Sequence, residues 1–336
     1  MKALSGWLVT LFFSLVLINP VLAAPKYADV EIPDTIRVIV SYKAGGSSDA
    51  LARITLPTWE KAIKELTGKS TSAVVVNLPG AGGEVGWTSL AYAQPDGSTI
   101  GIINLPAVPI VQAAREAGFE PWLEKFTGLG VNVVDPNVVR LGTRSKFNTL
   151  AEAIDAAKTN PGSVTVGADG PLSDDHVAMY ALEKVTGAKF TFIPYPGGSP
   201  ANRAFMSGEV DIAIGNVFDH VKTKTSAKEA MVLLDERYPL IKEIPTAKEL
   251  INLDLGEFGS TRGFATPTGT PEPLLKVYRE AFDLTFNDEA YKQEAIKRNI
   301  TIVTPRIGDD FQKVMEENER ITQELLQLFI DGGFIK

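Results

Sequence analysis

The residues with chemistry to offer in this 336-residue chain gather at three glycine-rich stretches. In the first, the apolar run Val38-Ile39-Val40 leads into Ser41-Tyr42-Lys43-Ala44-Gly45-Gly46-Ser47-Ser48-Asp49. Apolar residues then recur at helical spacing (Leu51, Ile54, Trp59, Ala62, Ile63, Leu66) until Gly68. That order reads strand, tight loop, helix. The second stretch repeats it: Val74-Val75-Val76 runs into Asn77-Leu78-Pro79-Gly80-Ala81-Gly82-Gly83-Glu84. The third runs from Phe192-Ile193 into Pro194-Tyr195-Pro196-Gly197-Gly198-Ser199-Pro200-Ala201. Glycine lets the backbone approach a ligand with no side chain between. The first amides of a helix have no acceptor within it, so such a turn favours an anion. Three turns of this kind predict one cleft lined by backbone N–H groups.

Other chemistry fits less well. Gly80-Ala81-Gly82-Gly83-Glu84-Val85 lacks the third glycine of a dinucleotide fingerprint, since Gly86 comes one residue late, and no Gly-Lys-Ser/Thr follows any loop. No nucleotide cofactor is expected. Ser173-Asp174-Asp175-His176 has the residue types of a hydrolytic or metal site, but neighbours entering a helix do not converge on one point as a triad does. With two histidines, no cysteine and no His-Glu-x-x-His, no metal site and no catalytic residue is expected. Asp49 reads as a helix cap, as a group orienting water or a ligand hydroxyl, or both. Arg53, one turn on, reads as the partner of an acid. Asn104 and Asn216 follow apolar strands and would bring amides to the mouth of the cleft. Tyr42, Tyr195 and Phe218 supply its apolar wall or pack in the core. His176 reads as a polar first-turn residue facing cleft or solvent.

The run Ala44-Gly45-Gly46-Ser47-Ser48-Asp49 with Ala50-Leu51-Ala52-Arg53, the Pro79–Gly86 loop, the turn Pro95-Asp96-Gly97, the Pro194–Ala201 loop and Thr266-Pro267-Thr268-Gly269-Thr270-Pro271 resemble the periplasmic solute-binding proteins of tripartite tricarboxylate transporters, in order and spacing. The resemblance implies an α/β, two-lobed periplasmic binding protein, a type II-like clamshell. Each lobe is a sheet flanked by helices, with 24–133 and 260–336 in lobe one and 134–259 in lobe two. It implies a small organic anion, a carboxylate, held by amides of 44–49 and 80–83. Ser173, Asp175, His176, Gly197, Gly198, Ala201 and Asn216 would close on it from lobe two. The implied partners are the membrane permease subunits of such a transporter, and the protein would be a monomer that binds without turnover. Two other readings stand beside it: an exported ligand sensor feeding a signalling receptor, and an exported enzyme. This chain departs from the family pattern at Asp174-Asp175, where relatives show small and hydroxyl residues. Asp175 caps its helix, or one of the pair latches to Lys43 across the cleft, or one reads a cationic or hydroxyl group on the ligand.

The elements that must carry these loops alternate. Strands are expected over 36–40, 73–76 and 99–103, with helices over 49–66, 85–93 and 107–116 and a kink at Pro57. Two apolar runs, 129–134 and 138–141, flank Asp135-Pro136. A second block follows, with helices over 150–158, 176–185 and 201–207 and strands over 164–166, 190–193, 212–214 and 231–234. A strand over 262–266 precedes helices over 274–286, 289–298 and 307–329. The alternation predicts parallel sheets covered on both faces.

Residues 1–23 read as an export signal: Lys2, an apolar run over 7–18, and small residues before Ala24. The run is short for a membrane span and ends in Asn19-Pro20. The expected location is the periplasm. The absence of cysteine excludes disulfides and a lipid-modified anchor. A formal charge of −8 argues against nucleic acid but leaves a small anion open, because a pocket's field differs from the net charge.

Overall fold

The structure is a computed structural model that describes residues 24–252 and 259–331. The expected export signal lies outside the described residues. The strands are β1 (Thr35–Val40), β2 (Ser72–Asn77), β3 (Thr99–Leu105), β4 (Phe126–Gly142), β5 (Thr165–Asp169), β6 (Thr191–Tyr195), β7 (Ile212–Asn216), β8 (Ala227–Val232), β9 (Gly259–Pro267) and β10 (Ile302–Ile307). They form one hydrogen-bonded path, β2-β1-β3-β9-β4-β7-β5-β6, with β8 and β10 also on β4.

The 17-residue β4 is the axis of the molecule. Up to Pro136 it pairs with β9 and β10; from Asn137 it pairs with β7 and β8. The two apolar runs expected around Asp135-Pro136 are therefore one strand. Proline has no N–H to give a ladder, so it suits the position where β4 exchanges one set of partners for another. The expectation of parallel sheets needs a second correction. Strands β1, β2 and β3 are parallel, as are β5, β6 and β7, but β9 is antiparallel to β3, and β4 to all four of its partners. The sheet is mixed because β4 and β9 carry the chain between the two strand groups.

Separate cores lie beside the two groups. Beside the first, Trp59 stacks on Phe282 at 5.0 Å and Phe264 on Phe282 at 4.6 Å. Beside the second, Leu141, Ile154, Met179, Leu182, Ile214 and Met231 pack together. The helix Ser47–Thr67 runs on through Pro57, and Gly68 ends it at φ 74°. Strand β10 was not expected; it is a half-exposed edge strand containing Pro305, with no clean alternation to reveal it.

Candidate functional site

Each glycine-rich loop leaves the carboxyl end of a strand: β1, β2 and β6, and the Gly170-Pro171-Leu172 turn leaves β5 in the same way. Ligands of open α/β sheets bind at such ends. The first loop turns at Gly45, φ +86°. Asp49 then reaches back to accept the Gly45 N–H at 2.9 Å and pairs with Arg53 at 2.9 Å. Burial would raise the Asp49 carboxyl, but the Arg53 guanidinium and the Gly45 amide outweigh it and hold the group below its ordinary range. The N-cap of the helix is Gly46, so Asp49 secures the loop from the first turn and does not cap. The second loop is more tightly wound: Gly80, Ala81, Gly82 and Gly83 all have positive φ. A Cβ on Gly83 would stand 2.6 Å from the Trp87 ring, so this turn tolerates no side chain there.

The loops of the two strand groups meet. An added Cβ on Gly82 would lie 2.8 Å from the Pro171 carbonyl oxygen, and one on Gly170 3.5 Å from Gly82 Cα. Lys222 Nζ donates to the Gly45 carbonyl at 3.1 Å. Two cavities remain between them. One of about 270 Å³ is lined by Pro79, Gly80, Ala81, Gly82, Gly83, Tyr195 and Gly197, with Ser41, Asp169 and Gly170. The other, about 20 Å³, has room for one water-sized group. Gly46, Ser47, Ser48, Asn104, Asp175, Gly198 and Asn216 line it. Tyr42 and Asp169 stand in both walls. The Tyr42 ring packs edge-on to Trp87 at 6.1 Å, and burial holds its hydroxyl well above the usual range.

Several expected residues lie elsewhere. Ala44 is exposed and Ala201 is buried in the helix Gly198–Ser207; neither lines a cavity. Phe218 lines neither cavity: it is buried at the margin of the first core, with Lys222 Nζ 4.1 Å from its ring centroid. His176 faces neither cleft nor solvent. It is fully buried, its Nδ1 accepts the Leu172 N–H at 3.0 Å, and its ring stacks on Phe192 at 4.3 Å. Burial pushes it down to about 4, so it is neutral. It braces Leu172, which sits at φ +65°. Ser173, not Asp175, caps the helix Asp174–Thr186, its Oγ accepting the His176 N–H at 3.2 Å. The latch is absent as well. Lys43 is exposed, while Asp174 and Asp175 accept from Asn137 Nδ2 at 2.9 and 2.7 Å.

Sequence reasoning missed the buried network under the cavities. Arg262 on β9 pairs with Asp135 on β4 at 2.8 Å and donates to Asn216 Oδ1 at 2.6 Å. Asn216 Nδ2 then donates to Asp174 at 2.9 Å and to the Asp135 carbonyl at 3.0 Å. Burial raises Asp135 to about 6, even against the charge of Arg262. Asp169 closes β5 and Asp219 lies in the helix Val217–Thr223. Burial raises Asp169 to about 7, and Asp175 well above its ordinary value with Asp174 next to it. Three buried polar atoms of residues in the cavity walls, Ser41 Oγ, Asn104 Oδ1 and Arg262 Nε, have no hydrogen-bond partner among the described residues. A hydroxyl donor and an amide acceptor left this way call for a ligand or a water.

A larger cavity, about 730 Å³, lies between β4, β9, β10 and the C-terminal helix Asp309–Asp331. It touches none of the glycine loops. Among the described residues, no cluster of His, Cys, Asp or Glu is arranged to hold a metal ion, and no helix is long and apolar enough to cross a membrane.

The family model described as "Tripartite tricarboxylate transporter family receptor" matches residues 60–328. The protein BugT of Bordetella pertussis is 26% identical over 306 residues, which is 87% of this chain and 90% of BugT. The solved periplasmic binding protein BugD superposes with a TM-score of 0.78 at 22% identity, covering 90% of this chain and 98% of BugD. MatC from Rhodopseudomonas palustris, solved with bound malate, superposes at 0.76 with 22% identity, covering 87% and 98%. The fold is that of periplasmic binding proteins.

Proposed function

The chain belongs to the tripartite tricarboxylate transporter receptor family, and on that premise we propose that it is a periplasmic protein that captures a small organic carboxylate and delivers it to the membrane subunits of such a transporter. The observation that carries this reading is the meeting of four strand-end loops around two neighbouring cavities, one walled by Gly80, Gly82 and Gly83 and by the unpartnered Ser41 hydroxyl. A carboxylate there accepts from Ser41 and from loop amides, directly or through water. The volume of about 270 Å³ suits a small acid. The relative solved with malate supports the ligand class.

The mechanism is binding without turnover. Residues 24–133 and 260–336 form one lobe and 134–259 the other, and β4 joins them. Ligand bridges the loops of both lobes, favours the closed form, and shifts the population toward the shape a membrane partner accepts. Export by the segment 1–23 delivers the chain to the periplasm, where it acts as a monomer. Denaturing the purified protein and analysing the supernatant by mass spectrometry tests the reading. A small carboxylate released in stoichiometric amount is expected. Stoichiometric release of a neutral sugar or a nucleotide would overturn it.

A further inference from the structure

The smaller cavity is lined by more acids than bases. Four aspartates, Asp169, Asp174, Asp175 and Asp219, and one arginine, Arg262, stand in its wall. That arginine gives Nη1 to Asp135 at 2.8 Å and Nη2 to Asn216, and its Nε has no partner among the described residues. The nearby Arg140 gives Nη1 to Asn202 Oδ1 and Thr223 Oγ1 at 3.0 and 2.6 Å, and Lys222 turns to the Gly45 carbonyl. The four carboxylates are thus held by neutral donors: Asn137 and Asn216 on Asp174, Asn137 and a backbone amide on Asp175, the Gly170 amide on Asp169, and Asn202 on Asp219. A carboxylate ligand placed here would be repelled.

An independent observation points the same way. Asn104 is only 4% exposed and lines this cavity, and its amide nitrogen donates to Ser48 Oγ at 3.0 Å. Its carbonyl oxygen has no partner among the described residues. An orphaned acceptor among carboxylates takes a donor with several hydrogens, which a water or an ammonium supplies. The cavity has room for one water-sized group, which is the size of a primary ammonium. The described acidic side chains are not arranged to hold a metal ion.

Resting on the carboxylate reading above, we infer that the smaller cavity is an ammonium subsite, and that the ligand is an amino acid whose carboxylate lies in the larger cavity while its ammonium reaches past Tyr42 and Asp169, which line both cavities, to meet Asn104 and the aspartates. The raised Asp169 and Asp175 carboxyls fit this arrangement, because their crowding is relieved when a cation arrives.

The test is calorimetric titration of the full-length mature chain, stripped of ligand by unfolding and refolding. The probes are butanedioate, pentanedioate and hexanedioate, each beside its 2-amino derivative, together with magnesium chloride alone. At least one amino derivative is expected to bind at least tenfold more tightly than its parent diacid, the gain for a charge-assisted hydrogen bond. In Asp174→Asn, and separately in Asp169→Asn, that ratio should fall at least fivefold. The ratio is measured within one variant, so a general loss of folding or closure cancels. Equal binding of the diacid and its amino derivative in the parent would overturn the inference while leaving carboxylate capture intact. A ratio unchanged in both variants would overturn it too, as would magnesium binding that both variants abolish. Failure of every probe, with and without the amine, would strike the carboxylate reading itself.

Discussion

At the scale of single residues, the polar side chains between the two strand groups matter most. Asp175, for which the sequence left capping, a latch to Lys43 and ligand reading open, does not cap its helix. It accepts from Asn137 and from the Asp169 amide, and burial, then Asp174, hold its carboxyl well above the ordinary value. A carboxyl raised on folding stabilises the fold below its unfolded value, near pH 4, and that contribution is lost as pH rises through the folded value. Asp175→Asn does not titrate. Its stability relative to the parent should therefore be nearly unchanged at pH 4 and should improve steadily toward pH 8, measured by thermal unfolding without ligand. A difference independent of pH would contradict this. His176 and His220, both depressed to about 4 by burial, lose stability as pH falls from about 6.5, but they do so in both proteins and cancel. Arg262 is the counterpart on the basic side. Arg262→Met leaves Asp135 buried without its ion pair, and breaking such a pair costs about 3–5 kcal/mol. Urea unfolding should show a loss of that size; a loss below about 1 kcal/mol would mean the pair is not holding β4 to β9.

At the scale of elements, the strand-to-helix turns were legible and the network under them was not. A glycine pair after a short apolar run and before a helical pattern is a local signal, and all three such turns lie at strand ends. The Asp135–Arg262 pair joins residues 127 apart and exists only because β9 returns beside β4, with Arg262 opposite Val133 after two shifts of register. No spacing in the chain announces that register. His176 was misread for a related reason: a polar residue in a first helical turn looks exposed until a neighbouring strand covers it with Phe192. The second loop also offers a clean test of closure. At Gly82, φ +65°, an alanine meets the Pro171 carbonyl across the cleft, whereas at Gly45, φ +86°, it would stand 3.7 Å from the Ser199 Oγ. Both variants carry similar backbone strain, about 1–2 kcal/mol. Gly82→Ala should weaken binding of the carboxylate released from the purified protein at least tenfold, and Gly45→Ala much less. Equal affinities in titration calorimetry would mean that the loops need not touch when ligand binds.

At the scale of the whole molecule, β4 serves both strand groups, and the two loop-lined cavities sit beside the place where its partners change. The larger cavity of about 730 Å³ lies away from that place, under β10 and the C-terminal helix. The central claim is that ligand is held by the strand-end loops of both groups. Hydrogen–deuterium exchange followed by mass spectrometry, with and without the carboxylate released from the purified protein, tests it most directly. Protection is expected together in 41–49, 79–86, 169–176 and 195–201, the loops of both groups, with 303–318 unchanged. Protection confined to 303–318, or to the loops of one group alone, would contradict the account.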